Sequence, residues 1–147
     1  MDYKDKKALV VDDSKLIRQN IMKVLKDLDF GETMEAENGA IGVSKAKRQL
    51  YDLVLMDCHM PVLDGYEATK QIRGDGRNKT TPILAVTANV VDGNRERCLS
   101  LGMNGFISKP FSEGEFIEAV LNLLDGDKQI LKTNQALPND EFQPLKL

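Results

Sequence analysis

The sequence has little of the residue chemistry that builds zinc ribbons, disulfide frameworks or membrane spans. Its two cysteines, Cys58 and Cys98, and its single histidine, His59, lack the paired spacings of such sites. No apolar run approaches the roughly 20 residues of a transmembrane helix. The segment from Met1 to Lys7 is too polar for a signal peptide. We therefore expect no membrane span and a location in the reducing cytoplasm.

An excess of positive charge is also missing. The chain has 20 Lys and Arg against 23 Asp and Glu, a formal net charge of −3. There is thus no global positive field to attract the phosphate backbone of a nucleic acid. The 147 residues are 41% hydrophobic and 29% charged, which is ordinary for a globular protein and enough for one domain. We expect a single globular domain that does not bind nucleic acid directly.

Short apolar runs that end at polar residues predict a buried parallel sheet. The run from Ala8 to Val11 ends abruptly at Asp12 and is typical of a strand covered on both faces. Three further runs have the same character, namely Leu53 to Met56, Ile83 to Val86 and Phe106 to Ile107, and Thr33 to Ala36, which is less apolar, is a fifth candidate. The segments between these runs have apolar residues at helical spacing. This pattern fits a parallel sheet, because parallel strands are joined by crossover connections that are usually helices.

Five helices are predicted from this spacing and from their capping residues. The clearest helix carries its apolar residues between Ile17 and Leu28, and Gly31 is expected to stop it. The fourth is expected from about Asp92 to Leu101, with Gly102 as a left-handed cap. The other caps are Ser14, Asn38, Asp64 and a capping box of Ser112 with Glu115. The predicted fold class is α/β, a doubly wound, five-stranded parallel sheet with five helices.

The predicted domain covers most of the chain. Residues 1–5 are expected to form an N-terminal tail and residues 6–124 the folded domain. Residues 125–147 lose helical and strand periodicity and contain Pro138 and Pro144. They are too few for a core of their own, and we interpret them as a tail or linker.

Polar residues of several types follow the carboxyl ends of different predicted strands. They are Asp12, Asp13, Asp57, Thr87 and Lys109. Ligand sites of open α/β sheets gather at that edge. Carboxylates brought together there would repel one another, so either their pKa values rise or a cation neutralises them. A hard, oxygen-binding ion such as Mg²⁺ suits this donor set.

The same residues favour phosphoryl chemistry. A carboxylate can attack phosphorus and form an aspartyl phosphate when a metal ion and another cation share the negative charge. Lys109 offers an ammonium group and Thr87 a hydroxyl donor for phosphoryl oxygens. We favour Asp57 as the nucleophile because its strand is the most apolar and therefore central, with Asp12 and Asp13 as metal ligands. Spacing alone leaves the ranking of the three aspartates open.

Four separated motifs resemble those of the receiver domain of two-component response regulators. They are Val10 to Ser14, Leu55 to Gly65, Val86 to Ala88 and Ser108 to Phe111, in the family's order, and the resemblance covers about Lys6 to Leu124. The sequence around Asp57 particularly resembles that of receivers attached to hybrid histidine kinases, although single-domain regulators share it. The resemblance implies a flavodoxin-like fold.

The resemblance also implies a role for each site residue. Asp57 would accept a phosphoryl group from the phosphohistidine of a histidine kinase or a histidine phosphotransfer protein. Asp13, Asp57 and the Cys58 carbonyl would bind Mg²⁺ directly, with Asp12 assisting through water. Thr87 and Lys109 would hold phosphoryl oxygens, and the Lys109–Pro110 peptide would be cis.

Switching and its reversal are implied in the same way. The Thr87 hydroxyl would move onto the phosphoryl group and Phe106 would turn into the vacated space. This change would remodel the face of the fourth helix, fifth strand and fifth helix for a downstream protein. His59 and Asn89 occupy the positions that tune the hydrolysis of the aspartyl phosphate in this family.

The sequence therefore predicts a phosphorelay switch that catalyses only its own phosphorylation and dephosphorylation. One alternative is a metal-dependent phosphohydrolase that acts through an aspartyl intermediate. That enzyme would need a general acid near the nucleophile and a substrate cap, but the expected Asp-x-Asp is absent at Asp57, where the residue two positions on is His59, and no insertion is long enough for a lid. The other alternative is an interaction module that works without phosphorylation.

Overall fold

A computed structural model describes residues 3–74, 76–88 and 94–125. Within these ranges no helix is long and apolar enough to cross a membrane. Five strands alternate with five helices. The strands are β1 (Lys7–Val11), β2 (Glu32–Ala36), β3 (Leu53–Asp57), β4 (Ile83–Thr87) and β5 (Gly105–Ser108). The helices are α1 (Lys15–Asp27), α2 (Gly39–Arg48), α3 (Gly65–Gly74), α4 (Asn94–Ser100) and α5 (Glu113–Leu124).

The strands form one parallel sheet in the order β2-β1-β3-β4-β5, which confirms the predicted fold class. Successive residues of a strand point to opposite faces. Leu9 and Val11 of β1 accordingly join a core cluster under α2, α3 and α4, whereas Ala8 and Val10 join a second cluster under α1 and α5. Central β3 is buried along its whole length, so its final residue, Asp57, has little freedom.

Most helix ends follow the predicted capping chemistry. The side chains of Ser14 and Asn38 accept backbone N–H bonds at the starts of α1 and α2. Ser112 and Glu115 form the expected capping box at α5. Gly102 follows α4 with a φ of +102°. The predicted start of the fourth helix near Asp92 lies outside the described residues.

Gly31 has a different role from the predicted helix stop. Helix α1 ends at Asp27 with Leu28 as its C-cap, and Asp29, with a φ of 69°, takes the left-handed conformation. At Gly31 a Cβ atom would overlap the carbonyl oxygen of Lys4. Glycine is needed there because the segment preceding β1 packs directly against its backbone.

The predicted N-terminal tail includes a residue that belongs to the core. The Tyr3 side chain is buried, and its ring centroid lies 5.2 Å from that of Phe30. Its hydroxyl donates to Asp125 Oδ1 at 3.3 Å, across 122 positions of sequence. Apolar burial therefore extends the folded unit to Tyr3, before the predicted boundary at residue 6.

Asn78 ties together the segments at the amino-terminal edge of the sheet. Its Oδ1 accepts bonds from the Tyr51 N–H at 2.8 Å and the Thr81 hydroxyl at 2.9 Å. Its Nδ2 donates to the carbonyls of Ala46 at 2.6 Å and Gln49 at 2.9 Å. One buried amide thus satisfies three backbone groups from the segment before β3 and a hydroxyl from the segment after α3.

Replacing this amide should destabilise the fold strongly. We expect Asn78→Ala to lower the free energy of unfolding by about 2–4 kcal/mol, because several buried polar groups lose their partner. Urea denaturation would measure the change. The matched control is Asn20→Ala at an exposed position of α1, which should stay within roughly 0.5 kcal/mol of the parent. Equal effects of the two substitutions would contradict this role for Asn78.

Candidate functional site

Three carboxylates meet at the carboxyl edge of the sheet. Asp12 and Asp13 directly follow β1, and Asp57 ends β3, the strand beside β1. Their carboxylate oxygens can all lie within 4.8 Å of one another. Asp12 and Asp57 are buried, whereas Asp13 is exposed. Sequence analysis predicted this cluster, since parallel strands place their carboxyl ends at one edge.

Backbone and side-chain bonds hold Asp12 in place. Its N–H donates to the Ala36 carbonyl of β2 at 3.1 Å, and its Oδ1 accepts from the Ser14 N–H at 2.8 Å. The Arg18 guanidinium donates to the Asp12 carbonyl at 2.7 Å and to Glu35 Oε1 at 2.7 Å. The corner between β1 and α1 is therefore braced from two sides.

Arg18 was not among the predicted site residues. The signal was available, because Arg18 precedes Ile21 by three positions and Leu25 by seven, which places it on the buried face of α1. A charged residue on that face needs a partner. Its partners are the Glu35 carboxylate and the Asp12 carbonyl, which local spacing does not identify.

Lys109 brings a positive charge to the acidic cluster. Its Nζ lies 3.0 Å from Asp12 Oδ2 and 3.6 Å from Asp57 Oδ2. Lys109 follows β5, and its backbone N–H donates to the Thr87 carbonyl at 2.8 Å. The peptide bond between Lys109 and Pro110 is cis, as the resemblance implies. The ammonium thus reaches the carboxylates from the end of β5, which lies two positions from β3 and three positions from β1 in the sheet.

Thr87 lies beside the same cluster. It ends β4, and the β3–β4 register pairs Asp57 with Val86, one residue before Thr87. The Cys58 N–H donates to the Val86 carbonyl at 3.0 Å. The Thr87 side chain is buried. The sheet register therefore places the end of β4, where Thr87 lies, beside the end of β3, where Asp57 lies.

The loop after β3 is tightly constrained. The His59 N–H donates to Asp57 Oδ1 at 3.3 Å, and the Gly65 N–H donates to the Cys58 carbonyl at 3.0 Å. A Cβ atom on Gly65 would overlap the Asp57 carbonyl oxygen, so only glycine fits where α3 begins. Exposed Val62 adopts a φ of 73°, which is strained for a β-branched residue. Hydrogen bonds therefore tie the Asp57 carboxylate to this loop and the loop to the start of α3.

Burial changes the acidity of Asp57. Desolvation, with the neighbouring charge of Asp12, raises the pKa of Asp57 to about 7, and the Lys109 ammonium and the His59 N–H oppose that rise. Asp12 Oδ2 is buried and, within the described structure, has only the ion pair with Lys109 and no hydrogen bond. Three carboxylates facing one ammonium leave excess negative charge. A divalent cation with a preference for oxygen fits this donor set.

The other predicted residues lie around the cluster. The His59 side chain is exposed at the rim, and Phe106 is half-buried in β5. The Arg95 guanidinium carbon lies 5.8 Å from the centre of the Phe106 ring. Asn89 lies outside the described residues. The structure therefore brings the carboxylates and Lys109 together, whereas Phe106 lies in β5 beside Arg95 of α4.

Known proteins resemble this chain in sequence and in fold. The sequence model of the response regulator receiver domain matches residues 8–121. Chemotaxis protein CheY-3 of Vibrio cholerae is 35% identical over 109 residues, which span 74% of this chain and 84% of that protein. Hybrid signal transduction histidine kinase G of Dictyostelium discoideum is 41% identical over 106 residues, 71% of this chain but 3% of that kinase.

A solved structure extends the likeness to the fold. The receiver domain of a sensor histidine kinase from Pseudomonas aeruginosa, with a magnesium ion coordinated in its active site cleft, is 38% identical and superposes with a TM-score of 0.74. The match covers 82% of this chain and 98% of that one.

The acidity of Asp57 predicts a pH-dependent stability. Because the pKa of Asp57 is raised in the folded chain, the folded chain binds the proton of this carboxyl group more tightly than the unfolded chain does. In the unfolded chain the pKa of Asp57 stays near 3.8. Without metal, stability should fall as the pH rises from about 4 to 7. Asp57→Asn should abolish this contribution and raise the melting temperature by roughly 5 °C at pH 8, but not at pH 4.

Thermal unfolding in a chelating buffer would measure both effects. The control is Asp5→Asn at an exposed position, which should leave the melting temperature nearly unchanged at both pH values. A pH-independent difference between Asp57→Asn and the parent would show that burial does not raise the pKa of Asp57.

Proposed function

The chain belongs to the response regulator receiver domain family of two-component signalling, and on that premise we propose that it accepts a phosphoryl group on Asp57. The donor is the phosphohistidine of a histidine kinase or a histidine phosphotransfer protein. The observation that carries the proposal is the cluster of buried Asp12, exposed Asp13 and buried Asp57, with the Lys109 ammonium close to both buried carboxylates.

Magnesium fits the donor set of this site. Asp13, Asp57 and the Cys58 carbonyl would hold the ion directly, and Asp12 would hold it through water. The Cys58 carbonyl accepts one bond from Gly65 and keeps a second lone pair for a ligand. When bound, the ion supplies positive charge that offsets the charge of the carboxylates and of the transferred group.

The side chains then divide the transfer between them. A carboxylate oxygen of Asp57 forms the new O–P bond while the P–N bond of the phosphohistidine breaks, and the electron pair remains on the imidazole nitrogen. Only the ionised form of Asp57 can attack, and the Lys109 ammonium favours that form. Lys109 and the Thr87 hydroxyl then hold phosphoryl oxygens.

The output is a change of surface. We propose that Thr87 moves towards the phosphoryl group and that Phe106 turns inward, which remodels the face formed by α4, β5 and α5 for a downstream protein. Phe106 is half-buried, and Arg95 of α4 lies beside its ring. Hydrolysis or onward transfer resets the switch, with His59 and Asn89 setting the rate of hydrolysis.

Two other functions have less support. A phosphohydrolase acting on external substrates would need a general acid near Asp57, and the exposed side chain two positions on is His59 rather than a carboxylic acid. An interaction module that ignores phosphorylation would not need three clustered carboxylates, whose mutual repulsion costs stability. We therefore favour the phosphorelay switch.

Intact mass spectrometry after incubation with acetyl phosphate tests this proposal. We expect one acid-stable, base-labile phosphoryl group in the parent with Mg²⁺, and none after chelation. Asp57→Asn should gain none, and Asp5→Asn should behave as the parent does. Modification of Asp57→Asn to the same extent would place the acceptor elsewhere. Sustained hydrolysis of general phosphomonoesters would favour the phosphohydrolase.

Lys109 can be tested separately. We expect Lys109→Gln to slow phosphorylation by roughly 10- to 100-fold, because the developing charge loses its ammonium partner. The fold should be retained, since this side chain is a polar group at the sheet edge. Lys23→Gln, at an exposed position of α1, is the matched control and should phosphorylate at the parent rate. Equal rates for both variants would remove Lys109 from the reaction.

A further inference from the structure

The ring of Tyr66, near the start of α3, contacts residues from two other segments. The Arg97 guanidinium carbon of α4 lies 3.9 Å from the ring centroid, so the cation covers the ring. The His59 ring lies 5.7 Å away, centre to centre, at an interplanar angle of 76°. Tyr66 therefore stands between α4 and the loop that follows the phosphoacceptor strand.

Tyr66 cannot move independently of these neighbours. Its side chain is 3% exposed and lies in the core cluster under α2, α3 and α4. The buried Tyr66 hydroxyl makes no hydrogen bond of standard geometry among the described residues. A polar group beside it is the Cys58 thiol, which is a weak acceptor. The ring rather than the hydroxyl therefore makes the contacts that matter here.

The two outer residues connect this ring to the surface and to the acceptor. Arg97 is exposed on α4, so a molecule that binds α4 can reach it. His59 is exposed at the rim of the site, and its backbone N–H donates to Asp57 Oδ1 at 3.3 Å. A displacement of Arg97 would thus alter a contact that helps to place the loop holding the Asp57 carboxylate.

We infer that Tyr66 is a positioning residue that couples α4, through Arg97, to His59 and the acceptor loop. Occupation or movement of α4 by a partner then changes the lifetime of the phosphoryl group on Asp57. The consequence for lifetime rests on the proposed function. The coupling itself does not, because it concerns side chains present before any phosphorylation.

The coupling can be measured directly, because His59 is the only histidine in the chain and its ring protons give a single set of NMR signals. At a fixed pH where the imidazole is neutral, and without metal, we expect Arg97→Leu to shift these signals. Arg95→Leu also removes a cation from α4, but that cation lies over the Phe106 ring rather than the Tyr66 ring. This variant should shift the His59 signals much less. Equal shifts in the two variants would overturn the coupling.

A second background separates contact from charge. In Tyr66→Leu, adding Arg97→Leu should no longer move the His59 signals, whereas in Tyr66→Phe, which keeps the ring, the response should persist. A response that survives in Tyr66→Leu would show that the Arg97 charge acts through space and would overturn the role of Tyr66. The Tyr66→Phe background keeps the experiment informative if Tyr66→Leu does not fold.

Phosphoryl lifetime tests the consequence. The decay of the aspartyl phosphate would be followed in the parent, His59→Ala, Arg97→Leu and the double variant, all altered at exposed side chains. We expect the two effects on the decay rate to depart from multiplicativity by roughly threefold or more. The effects of His59→Ala and Arg95→Leu on the decay rate should simply multiply.

The possible failures are distinguishable. If the effects of His59→Ala and Arg97→Leu on the decay rate simply multiply, the role of Tyr66 in the reaction is overturned, even where the His59 signals shift. A parent that gains no phosphoryl group from acetyl phosphate would overturn the proposed function and this consequence together. The NMR comparison would still decide whether α4 and His59 are coupled.

Discussion

The crowding of negative charge at the sheet edge is the constraint on which the site depends. Oxygens of Asp12, Asp13 and Asp57 lie within 4.8 Å of one another, two of these side chains are buried, and the Lys109 ammonium offsets part of their charge. Such a cluster costs stability unless a proton or a cation enters it. A divalent cation that prefers oxygen ligands would meet this need, and so the donor set suits a metal ion.

The scaffold holds this unfavourable cluster by bonds that do not involve the reacting oxygens. The Arg18 guanidinium anchors the Asp12 carbonyl, and Gly65 allows α3 to begin against the Asp57 carbonyl. Register with β4 positions Thr87 beside Asp57. Backbone bonds of the buried sheet thus supply the rigidity, and only the side-chain ends remain available for chemistry.

The same rigidity gives the site a connection to its surroundings. Because the acceptor loop is fixed by short contacts, a change at one of them is transmitted rather than absorbed. Tyr66 is buried between the loop and α4, while Arg97 and His59 are exposed on either side of it. On our proposal, an event on the surface of α4 would in this way reach the loop that follows Asp57.

Features that depend on local periodicity and local hydrogen bonds could be predicted before the fold was known. The alternation of apolar runs and helical spacing predicted the parallel sheet, the capping residues Ser14, Asn38 and Ser112 marked helix starts, and the strand ends indicated the acidic cluster. Contacts between residues far apart in sequence could not be predicted in this way. Tyr3 joins the core through Phe30, Gly31 faces Lys4, Asn78 links both sides of β3, and Arg97 covers Tyr66. These partners share no spacing rule, because the path of the chain around the sheet brings them together.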